Sequence, residues 1–202
     1  FPFHCVDEQV RVGKNDIVKR HFKFLYNSPV SQKEFYILLD VLFEYQQYAS
    51  LVRREIRNEL LLTEPEYLSV LIPDENSILA DKMTAFAPHT TGILLGGRKD
   101  MEVMKQMYDV SSLLDVFSDF NAVQETYRRI VRDEIAYRGI AKTEEDCLQD
   151  TFDAALCIAC RGTYNPDEFK LYVNAVRSLR SHIFAENYSI ERAIPRAVKV
   201  MY

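Results

Sequence analysis

Apolar residues change their spacing once along this chain, at Pro73-Asp74, and no other feature restricts the fold as strongly. Upstream, short stretches alternate or run unbroken in the manner of strands. Downstream, apolar residues recur every three or four positions, as one face of a helix requires. Gln9–Val12 is a brief alternating stretch, His21–Tyr26 a longer one rich in aromatics, and Tyr67–Ile72 a third that Pro73 stops. Glu34–Phe43 is almost continuously apolar. Its aromatic and β-branched content predicts a central strand covered on both faces, with a buried helix as the other reading of such a run. Tyr48–Leu62, where Arg53, Arg54 and Arg57 lie near Glu55 and Glu59, predicts a short helix.

Beyond Pro73, Asp74 can cap a helix whose Ile78, Leu79, Lys82, Met83 and Phe86 share one face, and Pro88 ends it. A loop from Pro88 to Asp100 holds Gly92, Gly96 and Gly97. Helices are then predicted over Met101–Phe117, Asn121–Tyr137, Thr143–Cys160, Pro166–Ala185 and Ser189–Val200. Thr143 followed by three acids, and Asn165 followed by Pro166-Asp167-Glu168, are helix-start signals. Sheet first and helices afterwards predicts an α+β fold, divided into a sheet domain (residues 1–73) and a helical domain (residues 74–202).

The formal net charge of -5 argues against a basic coat for nucleic acid, although a basic cleft can sit within an acidic total. No apolar run approaches the roughly 20 residues that span a bilayer, so no membrane partner is expected. Four cysteines are too few to staple a chain of this size, which points to a reducing cytoplasm. The opening Phe1-Pro2-Phe3-His4-Cys5 has no Met, and the chain reads as the greater part of a longer protein.

Few residues stand out chemically. Asp40 lies in the apolar Glu34–Phe43 run, where an ionised carboxylate needs a cation, a metal ion or water. It either serves a phosphoryl-transfer site, or faces solvent or pairs with an arginine such as Arg53. Lys82 falls on an apolar helix face, and its ammonium either snorkels outward or points into a cleft where it could hold a triphosphate. Asp109, among Met104, Met107, Val110 and Leu113, is either a base or a helix–helix polar contact. Arg98, Lys99 and Lys105 form a modest basic cluster suited to phosphate or an RNA backbone, or simply a solvated helix entry. Cys157 and Cys160 have no second pair and read as small buried residues. Of the histidines His4, His21, His89 and His182, only His89 follows the Lys82 helix closely enough to draw notice.

The segment Ser77–Phe86, with Lys82, and the later Lys105-Gln106-Met107-Tyr108-Asp109-Val110 resemble the third and fourth motifs of the AbiEii/AbiGii nucleotidyltransferase-like toxins. Leu38-Leu39-Asp40-Val41 resembles the second motif of that family. The resemblance covers Glu34–Leu114 well and the remainder loosely. It implies a polymerase-β-like nucleotidyltransferase sheet followed by a helical bundle. It also implies transfer of a nucleotide from an NTP to RNA, notably the 3′ end of tRNA, with Mg²⁺ as cofactor and an antitoxin as partner. Asp40 would then bind metal, Lys82 would contact the nucleotide phosphates, and Asp109 would be the acid near the reacting hydroxyl. Arg98, Lys99 and Lys105 would meet the substrate backbone.

Two departures qualify the resemblance. The Asp-x-Asp pair of the first motif is absent from the sequence, and Lys105-Gln106 stands where the family has Arg-Asp. An interaction module that binds a protein partner, and a transferase acting on a small molecule, are the other functional readings.

Overall fold

The computed structural model describes residues 5–12, 18–58 and 65–202, which divide into two compact units, Phe1–Gln46 and Gln47–Tyr202. His4 and Glu59 lie outside the described residues. The architecture is α+β: small antiparallel sheets near the N-terminus, then six α-helices among the described residues.

In the first unit, β1 (Cys5–Val12), β2 (Val18–Asn27) and β3 (Glu34–Phe43) form an antiparallel sheet in that order. Opposed residues share a face, so the register sorts the side chains. His21 faces Asp40 and Lys23 faces Leu38, whereas Phe22, Phe24 and Tyr26 face Leu39, Ile37 and Phe35 across the other side. One face is therefore ionic and the other nearly all apolar. Phe22 and Phe24 stack at 6.4 Å between ring centroids, as far apart as Tyr26 and Phe35. On the ionic face, Lys23 Nζ sits 4.5 Å from the centre of the Tyr36 ring.

The strand expected at Glu34–Phe43 is present, but it is neither central nor covered on both faces. It is the last strand of the ladder, and Phe35, Ile37, Leu38 and Leu39 are each about half exposed. Continuous apolarity reports burial only when another layer packs on each side, and no such pair of layers encloses β3 within this unit.

A second correction concerns Tyr48–Leu62. The described part is a strand, β4 (Leu51–Glu55), paired antiparallel with β5 (Ser69–Pro73), with Arg53 opposite Leu71 and Arg54 opposite Val70. A helix this short leaves most of its backbone donors unpaired and is marginal alone. The β5 ladder pairs them instead. Ala49 N–H donates to Thr126 Oγ1 at 3.0 Å and Ser50 N–H to Ser77 Oγ at 3.2 Å, which ties the start of the strand to the helices.

The helices follow their sequence signals. α1 (Glu75–Ala85) is capped by Asp74, whose carboxylate accepts from Ser77 N–H at 2.8 Å. Then come α2 (Asp100–Leu113), α3 (Phe120–Arg138), α4 (Glu144–Ala159), α5 (Pro166–Leu179) and α6 (Ile190–Met201). Leu79, Phe86, Met104, Met107, Ile158 and Tyr172 are fully buried in their common core. Each such side chain contributes about 1.5–3 kcal/mol by leaving water. Ala193 and Ala197 of α6 are also fully buried, the small residues letting it lie close against its neighbours. No helix among the described residues is long and apolar enough to cross a membrane.

α4 begins with a capping box. Thr143 Oγ1 accepts from Asp146 N–H at 3.1 Å, and Asp146 Oδ2 accepts from Thr143 N–H at 2.8 Å. Thr143→Ala is expected to lower the unfolding free energy by about 1 kcal/mol, read from the denaturant midpoint. The Thr143 amide also holds the Asp146 carboxyl below its usual range. A depressed carboxyl contributes stability above its unfolded value and loses it as pH falls through the folded one. Asp146→Asn should therefore be less stable than the unsubstituted protein near neutral pH. The two should converge below the ordinary aspartate value of about 3.9.

Candidate functional site

Helical spacing on α1 brings Lys82 to a half-buried position facing α2. Its Nζ lies 3.0 Å from Asp109 Oδ2 and donates to Gln106 Oε1 at 3.0 Å. Gln106 and Asp109 are three residues apart on α2, so one turn presents both acceptors to a single ammonium. The side chains of Lys82 and Asp109 are 27% and 30% exposed. An ammonium carries three N–H donors, and with two directed at α2 the third is available to an oxygen-rich ligand. Asp81, the preceding residue, is partly buried. Burial raises its carboxyl above the usual range, against the pull of the adjacent Lys82 ammonium. A cation with two acceptors and a partly desolvated acid beside it is suited to holding an anionic group at a partly dry surface.

The sequence pairs Lys82 with Asp109, and the structure joins them directly. It also gives a role to Gln106, which sequence reading treats only as a departure from a motif. Arg98, Lys99 and Lys105 are exposed. Arg98 adopts a left-handed φ of 68° at the end of the loop, and Lys99 is the N-cap residue of α2. Arg98 and Lys99 border a shallow recess of about 350 Å³ together with Ile93, Met101 and Glu102.

Asp40 belongs to the first unit. Its side chain is 69% exposed on the ionic face of the sheet, where Oδ1 lies 2.6 Å from His21 Nδ1. The group beside it is thus His21 rather than Arg53. Among the described residues, no three His, Cys, Asp or Glu side chains gather as a metal-holding group. Those residues do not assemble the carboxylate set that a two-Mg²⁺ reaction needs.

A second constellation surrounds His89. Asp150 of α4 is 7% exposed and accepts three hydrogen bonds. They come from His89 N–H at 2.8 Å, Thr90 Oγ1 at 2.7 Å and His89 Nδ1 at 2.7 Å. The loop is fixed further by Thr151 Oγ1, which donates to the Phe86 carbonyl at 2.9 Å, and by Thr91 Oγ1, which donates to the Thr84 carbonyl at 2.9 Å. His89 is 48% exposed and lies 3.7 Å through Nε2 from Glu168 Oε1 of α5. Nothing in the sequence joins His89 to Asp150 and Glu168, which follow 61 and 79 positions later on different helices. Only tertiary packing brings them together. Burial pushes the nearby Cys157 thiol up to about 11, so it stays protonated at neutral pH and is no nucleophile. No protein-family model, curated protein or solved structure matches this chain.

Proposed function

We propose that the protein is a nucleotidyltransferase-like enzyme that passes a nucleotide from an NTP to an RNA, with the 3′ end of tRNA as acceptor. The observation that carries this reading is the 3.0 Å approach of Lys82 and Asp109 across α1 and α2. Two residues singled out for phosphate contact and for handling the reacting hydroxyl, and separated by 27 positions, meet at one partly exposed point. Lys82 would neutralise charge on the triphosphate, where a fixed ammonium in a partly desolvated site is worth more than in water. Asp109 would orient Lys82 and accept from the attacking hydroxyl. Arg98, Lys99 and Lys105 would lie along the RNA backbone, and an antitoxin protein would restrain the activity.

The test is incubation of the protein with labelled NTPs, magnesium salt and total tRNA, beside Asp40→Ala. Label on RNA with the unsubstituted protein alone supports the transfer reading and a role for Asp40. Absence of label with every NTP sinks the reading, and equal label in both proteins removes Asp40 from the site.

A further inference from the structure

The His89 constellation opens on a cavity of about 510 Å³ bordered by Asp146, Asp153, Lys142 and Glu168 as well as by Asp150. Its chemistry is set by how two of its walls are held. Asp150 accepts from the His89 ring at Nδ1, so that nitrogen carries the proton and Nε2 of the neutral ring presents a lone pair. Facing it, Glu168 is locked from behind. Tyr172 O–H donates to Oε1 at 2.8 Å and Asn165 Nδ2 donates to Oε2 at 2.7 Å. Burial raises the Tyr172 hydroxyl well above its usual range, which keeps it a proton donor to that carboxylate.

Two acceptors therefore confront one another across 3.7 Å, too far for a direct hydrogen bond and each short of a donor on its open side. The group that completes such a pair brings two N–H bonds and a positive charge. A primary ammonium does so, and phosphate and carboxylate do not. The cavity is large enough for the rest of an aliphatic chain, with Asp146 and Asp153 placed to receive further amines. The Thr143 amide keeps Asp146 ionised well into acid.

We propose that this cavity binds a small organic polyamine, with one primary ammonium held between His89 Nε2 and Glu168 Oε1. The proposal goes beyond the transfer reading and does not depend on it, since binding is measured without nucleotide. The experiment is calorimetric titration of spermidine into the full chain at low ionic strength. It is run on the unsubstituted protein, on Glu168→Gln, on His89→Phe, and on Glu125→Gln as a distant surface control. Glu168→Gln keeps the acceptor for Tyr172 while removing the charge, and His89→Phe keeps the ring volume while removing the lone pair. Saturable binding is expected, about tenfold or more weaker in each of the two site variants, the size of one lost hydrogen bond to a charged group. The Glu125→Gln protein should bind as the unsubstituted one does. No binding would overturn the proposal. So would equal weakening in all three variants, because diffuse attraction to an acidic protein would then account for it.

Discussion

Replacing Lys82 with Met is expected to lower nucleotide transfer about 10²–10³-fold, the usual cost of removing one fixed group that stabilises charge in a transition state. Met keeps the length and packing of the stem while deleting the ammonium. The substitution also leaves Asp109 without its cation, so some loss of folding stability accompanies it. The two effects separate in Gln106→Leu, which removes the other acceptor of Lys82 but leaves its charge. That variant should retain most of the transfer rate if the ammonium itself is what matters. Lys82→Arg should fall between, since a planar guanidinium cannot meet two acceptors on one helical turn as a compact ammonium does. Initial rates with one labelled NTP, beside denaturant midpoints for each protein, decide the matter. An unchanged rate in a folded Lys82→Met protein removes the Lys82–Asp109 pair from the chemistry.

Gly92→Ala is expected to cost about 3 kcal/mol of stability, at the upper end of overpacking penalties. A Cβ at that position would stand 2.4 Å from the Ala85 carbonyl oxygen, 2.6 Å from Ala87 N and 2.7 Å from the Ala87 oxygen. All three atoms are backbone, and Ala87 also accepts from Gly92 N–H at 2.8 Å, so no side chain can swing aside. Gly96→Ala is the matched comparison. Gly96 has a left-handed φ of 76° with its nearest neighbour 4.0 Å away, so alanine there should cost only the conformational penalty of about 1 kcal/mol. Chemical unfolding of both variants tests the contrast. Equal midpoints would mean that the loop around His89 yields, and that its geometry is not built in.

The helical half was legible because its ends announce themselves. Asp74, Thr143 and Asn165 each cap the helix that their side-chain chemistry predicts, and α2 to α4 begin and end close to their sequence limits. α5 is shorter than its apolar pattern because Arg180–His182 tighten into a 3₁₀ turn. The sheet half was read less well. Local pattern identifies Glu34–Phe43 as a strand but says nothing about how many layers cover it. Tyr48–Glu55 carries enough charge to imitate a helix until β5 supplies the partner. At the candidate site, Lys82 and Asp109 were visible because each sits among apolar residues at helical spacing. Glu168 and Asp150 were invisible for the opposite reason. Each occupies an ordinary acidic position near others, and only the folding of α4 and α5 around the His89 loop gives them a purpose.

The two unlike faces of the N-terminal sheet bear on how the protein tolerates its solvent. Added salt weakens the attraction between His21 and Asp40 on one side, because exposed charges are screened within about 10 Å at 0.1 M. A strongly salting-out anion does the reverse on the other side, where Phe35, Ile37 and Leu39 are half exposed, by making wet hydrocarbon more costly. Raising ionic strength therefore quiets one surface while making the other more adhesive, and the solubility of the unit follows the balance between them.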